Sequence, residues 1–155
     1  MNDAAPPEGR EPPSAERTWR AGERLAPVIF PAISRHALAL YCGGSGDHNP
    51  LHTDIDFARS VGQTDVIAHG MLSMAYLGRF LTAHFDPAAI RSFSVRFTAP
   101  TRPLDEVTCS GVIEAVSASA DGPRLDLTLE ARTETALTVT GRAVVSGAHN
   151  LASGA

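Results

Sequence analysis

Between Ile67 and His84 the chain reads Ile-Ala-His-Gly-Met-Leu-Ser-Met-Ala-Tyr-Leu-Gly-Arg-Phe-Leu-Thr-Ala-His, a helical stretch that is apolar on almost every side. Such a helix has no broad polar face to offer to water, so the rest of the chain must enclose it. The sequence after Pro87 supplies the means. Ser92–Ala99 alternates Phe93, Val95 and Phe97 against Ser94, Arg96 and Thr98, a period of two that predicts a strand. Further strands are predicted at Glu106–Ser117, Arg124–Thr133 and Ala136–Ser146, with Asp121-Gly122-Pro123 and Glu134-Thr135 near the turns. Strands that follow one another with no helix between them form an antiparallel sheet, so the expected class is α+β, with the sheet wrapped around one long central helix.

The segment before the helix is more broken. Arg24–Ile33 mixes Leu25, Val28, Ile29 and Phe30 with Pro27 and Pro31, as an edge strand does. Ser34 is placed to cap a helix running from Arg35 to about Cys42, which Gly43, Gly44 and Gly46 are expected to end. A loop from Ser45 to Thr53 leads to a short helix, Asp54–Ser60, capped by Asp54 or Thr53. Residues 1–18 carry Pro6, Pro7, Pro12 and Pro13 among small and charged residues and read as a flexible tail. One domain is expected over 19–148, and a second flexible tail over 149–155.

Several function classes are disfavoured by composition. The chain has 155 residues, of which 43% are hydrophobic and 19% charged, and no uninterrupted apolar run nears the roughly 18 residues that span a bilayer. Its 13 Lys and Arg are scattered and the net charge is -4, so no basic stripe awaits nucleic acid. Cys42 and Cys109 share no C-x-x-C pair, which argues against a disulfide framework or structural zinc. The beginning of the sequence lacks the basic and apolar regions of a secretory signal, and a cytoplasmic protein is expected.

Two clusters carry chemistry. In Ser45-Gly46-Asp47-His48-Asn49-Pro50-Leu51-His52, a carboxylate and an imidazole stand five residues apart on a loop stiffened by Pro50. His52 can exchange a proton near neutral pH, and Asp47 can hold a water and stabilise imidazolium. In Ala68-His69-Gly70-Met71, the first turn of the apolar helix offers unpaired N–H groups, and Gly70 lets a carbonyl oxygen approach them closely. Taken singly, each residue has a plainer reading. Asp47 alone would be a turn former, and His69 a capping or packing residue. His36, His84 and His149 read as ordinary surface or helix-end residues, His48 as pointing away from the pair, and Asp54 and Asp56 as caps and solvated charge. A metal site on His48, His52 and His69 would meet no known ligand spacing, and no metal is expected.

The order Tyr41-Cys42-Gly43-Gly44-Ser45-Gly46-Asp47-His48-Asn49-Pro50-Leu51-His52, then Ile67-Ala68-His69-Gly70-Met71-Leu72, closely resembles the hydratase motif of the MaoC-like family. The likeness extends to Ser94-Val95-Arg96-Phe97-Thr98-Ala99-Pro100, and so covers about Trp19 to Ala148. The resemblance implies a hot-dog fold and an enzyme that reversibly hydrates trans-2-enoyl thioesters to (3R)-3-hydroxyacyl thioesters. It makes Asp47 and His52 the acid–base pair, has Asn49 orient the pair or the water, and gives Gly70 the oxyanion N–H. Ala68, His69, Met71 and Gly78 would lie along the substrate. Some short-chain hydratases have a serine where the resemblance aligns Gly78 of this chain, and the small residue would leave room for a longer acyl group. No cofactor is implied, since the acyl-CoA or acyl-carrier-protein thioester is itself the substrate. The implied partner is an identical chain in a homodimer, or a homologous hot-dog subunit that lacks the motif. Rival readings are a hot-dog thioesterase, disfavoured because no Asp or Glu lies between His69 and His84, and a non-catalytic acyl-thioester-binding subunit, which would not need Asp47 and His52 together.

Overall fold

The computed structural model of the chain describes residues 18–120 and 122–147. Residues 1–17 and 148–155, which include almost all of the two expected tails, lie outside the described residues. Strand β1 (Val28–Phe30) is followed by α1 (Arg35–Ser45), α2 (Ile55–Ser60) and α3 (Gly70–His84), then by β2 (Ile90–Phe97), β3 (Val107–Ser119), β4 (Gly122–Arg132) and β5 (Leu137–Ser146). All pairings are antiparallel, in the order β1-β3-β4-β5-β2. Helix α3 packs Leu72, Leu77, Phe80 and Leu81 onto the sheet against Ile113, Leu127, Leu129 and Ala143, all buried. At Gly111 the helix comes so close that a Cβ would stand 3.0 Å from both Leu129 and the Phe80 ring. A glycine in mid-strand, normally unfavourable, is what lets the central helix settle into the curve of the sheet.

Three expectations need correction. The helix does not start at Ile67. Ile67 N–H donates to Leu51 O (3.2 Å) and Ala68 N–H to Thr101 O (2.8 Å), so these residues run extended and α3 opens at Gly70. Nor is α3 enclosed all round. Met71, 52% exposed, lines up with exposed Ala75 and Arg79 on a face the sheet of one chain does not reach. Helix α1 runs through Gly43 and Gly44 instead of ending at Cys42. Glycine weakens a helix by about 1 kcal/mol without forbidding it, and the stop comes at Gly46, whose φ of 74° is left-handed and whose N–H donates to Cys42 O.

Other local signals held. Ser34 Oγ accepts from Ala37 N–H at the start of α1, and Asp54 caps α2 by accepting from Asp56 and Phe57 N–H. The edge strand near the beginning is real but short. Pro27 and Pro31 bracket β1, each lacking an N–H, and upstream the chain follows the edge of β3 through the Arg24–Val112 bridge and the bonds of Gly22 N–H to Ile113 O, Ile113 N–H to Glu23 O and Leu25 N–H to Gly111 O.

Candidate active site

The loop after α1 is held by its own side chains at two-residue intervals. Ser45 Oγ accepts from Asp47 N–H (3.2 Å), Asp47 Oδ1 from Asn49 N–H (3.2 Å), and Asn49 Oδ1 from Leu51 N–H (3.0 Å). Each bond spans a turn that Ser, Asp and Asn form readily. The last of them caps the 3-10 turn Pro50–His52, whose Pro50 comes with φ already set. Asn49 thus acts through this cap and through its N–H on the Asp47 carboxylate.

His52 leaves that turn pointing inward. Its Nδ1 lies 2.8 Å from the carbonyl oxygen of Ile67, which can only accept, so Nδ1 carries the proton and Nε2 presents a lone pair. Nε2 stands 3.9 Å from Asp47 Oδ2, with Asp47 half-exposed and His52 nearly buried. That gap is too long for a direct hydrogen bond and suits a water shared by the two groups.

His69 closes the back of the site. It is 1% exposed, its ring is stacked on His52 with centroids 3.9 Å apart, and Tyr41 packs at 4.9 Å from the same ring. Its Nε2–H donates to the Asp47 carbonyl oxygen (3.2 Å), and its Nδ1 is buried with no partner. Burial holds the His69 pKa below the usual imidazole value; the bond to the Asp47 carbonyl opposes the shift and the neighbouring His52 adds to it. His69 is therefore neutral. Asp47, His52 and His69 can each bring a ligand atom within 4.8 Å of the others. Two of the ring nitrogens are engaged by carbonyl oxygens, His52 Nδ1 by Ile67 and His69 Nε2 by Asp47.

Gly70 begins α3 with an N–H that meets no acceptor among the described residues. Phe97 lies directly over it, so that a Cβ at this position would stand 3.3 Å from the ring. Beside this N–H a cavity of about 330 Å³ opens, with His52, Gly70, Ser73, Phe97, Thr101 and Val139 in its wall. A larger hollow, about 660 Å³, lies over Ser94, Arg96, Glu130 and Arg142 on the sheet and touches neither Asp47 nor His52.

The sequence-predicted residues therefore divide. Asp47, His52 and Asn49 are brought together, and of the predicted residues His52, Ala68 and Gly70 line the cavity while Asp47 and Asn49 lie outside its wall. His69 lies behind His52 instead of facing the cavity. Met71 and Gly78 lie outside the cavity wall, Gly78 with the Phe93 ring 3.8 Å from where a Cβ would be. His48 does turn away from the pair, with Nδ1 3.3 Å from Cys42 Sγ. The sequence reading missed the Ile67 carbonyl, whose part is played by backbone and leaves no mark on residue type. It also missed Ser73 and Thr101, 28 residues apart and joined by a hydroxyl–hydroxyl bond of 3.1 Å.

Residues 17–135 match the MaoC like domain. The chain belongs to the MaoC-like family. Among curated relatives, a mitochondrial 3-hydroxyacyl-[acyl-carrier-protein] dehydratase of Arabidopsis thaliana is 34% identical over 85 residues, 55% of this chain and 50% of that protein. An (R)-specific enoyl-CoA hydratase of Rhodospirillum rubrum is 38% identical over 80 residues, 50% of this chain and 56% of that one. The MaoC-like chain thus spans about half the length of these relatives. In three dimensions it is similar to the (R)-hydratase from A. caviae involved in PHA biosynthesis, with a TM-score of 0.69 and 30% identity over 84% of this chain and 98% of that one. The MaoC-like fold, a hot-dog of antiparallel sheet around a helix, is the one expected from the residues.

Proposed function

We propose that this MaoC-like chain catalyses the reversible addition of water to trans-2-enoyl thioesters, giving (3R)-3-hydroxyacyl thioesters. The observation that carries the reading is the His52 Nε2 lone pair facing the Asp47 carboxylate across 3.9 Å, with His52 and the unpaired N–H of Gly70 in the wall of one cavity. A water held between Asp47 and His52 gives up a proton to Nε2 as its oxygen bonds to C3. The C2–C3 π electrons shift toward the thioester carbonyl, and the developing oxyanion is stabilised by the Gly70 N–H at the positive end of α3. The enolate then takes the proton from His52 imidazolium at C2, which returns His52 to its starting form. Asp47 stays ionised and offsets the imidazolium charge while it exists. Dehydration is the same path reversed. The steps call for no cofactor, and the thioester is the substrate.

The reading extends to partners and compartment. β2 is an outer strand of the sheet, with Phe97 half-exposed on it, and the uncovered face of α3 presents Met71 and Ala75 beside Arg79, which supports pairing with a second hot-dog chain, identical or homologous. Among the described residues no helix is long and apolar enough to cross a membrane, and Cys42 and Cys109 are unpaired, in keeping with the cytoplasm.

The test follows the absorbance of the enoyl-thioester bond with crotonyl-CoA and a longer trans-2-enoyl-CoA. Wild type should consume it, and Asp47→Asn and His52→Ala should each lose about 10²- to 10⁴-fold in rate while staying folded. An inactive wild type across such a panel, alone and with a homologous subunit, would sink the reading.

A further inference from the structure

The wall of the cavity beside Gly70 holds His52 and four hydroxyls, of which those of Thr98 and Thr138 are spent on the carbonyls of Leu137 and Ala131. Ser73 and Thr101 are 2% and 4% exposed, line the cavity, and hydrogen-bond to each other at 3.1 Å. Two hydroxyls bring two protons, and one bond uses one. The second has no acceptor among the described residues, and most of the lone pairs are equally unused. The bond is not needed to hold the chain together here. The segment that carries Thr101 is already fixed by Ala68 N–H to Thr101 O (2.8 Å), Thr98 N–H to Thr138 O (2.9 Å) and Thr98 Oγ1–H to Leu137 O (2.6 Å). Apolar residues of the same shape would have served as well for packing.

The position of the pair narrows what it could meet. Ser73 follows Gly70 by one turn on α3, a rise of about 4.5 Å, so the pair lies a short distance beyond the carbonyl site. The rim of the cavity is exposed at Gly70, Phe97 and Pro100, and its floor is buried at Ser73, Thr101 and Val139. Of the two ends of a thioester only the acyl end can stop against a closed floor, because the carrier arm must go on to a bulky nucleotide or protein.

On the reading given above, we propose that Ser73 and Thr101 form a polar subsite for an oxygen in the acyl chain, selecting enoyl thioesters that bear a hydroxyl, oxo or ether group beyond C3 over plain alkyl ones. A hydroxyl pair that is half-satisfied by itself can still admit an alkyl chain, so the discrimination is graded.

The test is a series of trans-2-enoyl-CoA substrates of equal length in which one methylene is replaced by an ether oxygen or carbonyl, moved outward from C5 one carbon at a time. One member should exceed the alkyl compound in kcat/KM by about 3- to 10-fold, the value of a single net hydrogen bond. Ser73→Ala and Thr101→Val should bring that ratio to about one, and Thr101→Ser should restore it. A ratio that is flat along the series in wild type, or that persists in both variants, overturns the subsite while leaving hydration intact. The same acyl groups on N-acetylcysteamine separate the sources of the polar contact: a ratio that disappears with the carrier arm assigns the pair to that arm and also overturns the proposal. If no member is hydrated, the hydratase reading falls. Calorimetric binding of the saturated oxygen-bearing and alkyl acyl-CoAs then decides the subsite alone, with equal affinities overturning it.

Discussion

The rings of His52 and His69 stack with centroids 3.9 Å apart and planes 28° from parallel, so one imidazole proposed for proton transfer rests on another that the fold keeps neutral. Two charged rings at that distance would repel strongly in so buried a place, and in the proposed reaction the charge forms on His52, which faces the Asp47 carboxylate.

The stack has a consequence for pH. The His69 pKa is lowered by folding, first through burial, so the unfolded chain binds protons there more readily than the folded one. Stability from this group is complete above the unfolded value near 6.5 and is lost as pH falls toward the lower folded value. Thermal unfolding of wild type followed from about pH 7.5 to about 5.5 should show a falling midpoint. His69→Phe, which retains a ring but cannot be protonated, should flatten this dependence. His69→Gln, which retains a donor toward the Asp47 carbonyl, should keep more activity than His69→Phe. Equal loss in both would mean the bond to Asp47 has no part in positioning.

Gly70→Ala tests the oxyanion site by steric means. Its Cβ would stand 3.3 Å from Phe97, a ring half-exposed and able to shift, so stability should change by no more than about 1 kcal/mol. Activity should fall by about 10-fold or more, as the substrate carbonyl is kept from the N–H; one lost oxyanion donor costs about 10²–10³. Steady-state kinetics beside a melting curve separates the two effects.

Asn49 offers a contrast between two near-isosteric changes. Asn49→Asp keeps an oxygen on Leu51 N–H, and Asn49→Ala loses it. The alanine variant should be less stable by about 1 kcal/mol, typical of a lost cap, and slower because the turn that carries His52 loosens. The aspartate variant should be close to wild type in stability, with a shifted pH–rate profile from the new charge beside Asp47. Denaturant titration and the pH profile together check this.

Leu104 is the one non-glycine residue with positive φ among those described, at 69°, and its side chain is 71% exposed. The left-handed conformation costs a branched side chain about 1–2 kcal/mol, and little burial offsets that here. Leu104→Gly should therefore raise stability, by about 0.5–1 kcal/mol after the added entropy of the unfolded glycine. A melting temperature that stays level or falls would show that the leucine makes contacts worth as much as the strain.

Much of this was legible in the residues. Period-two alternation located β2 to β5 to within a few residues, and Ser34 and Asp54 announced the starts of α1 and α2 because their short oxygens suit orphan N–H groups. Asp47 and His52 stood out because loop, turn and helix start came in one order. What escaped were relations between distant backbone and side chains. Nothing in the types of Leu51 or Thr101 reveals that they pin Ile67 and Ala68 in extended form and so delay α3 to Gly70. His69 has the composition of a contact residue and the position of a buried one; the distinction depends on His52 and Tyr41 arriving around it. The open face of α3 was hidden for another reason, since apolar character tells which side chains avoid water without telling what covers them.

Ile67 clasps the turn that carries His52 with both of its backbone polar groups, giving its N–H to Leu51 O and its carbonyl to His52 Nδ1–H. Everything between, α2 and the turn at Gly62 included, is an excursion whose ends are fastened to each other. Lengthening such an excursion at its exposed tip costs little closure entropy, and the clasp at its base stays as it is. Gly62, exposed and with φ at 88°, is thus where added residues would least disturb the turn that carries His52.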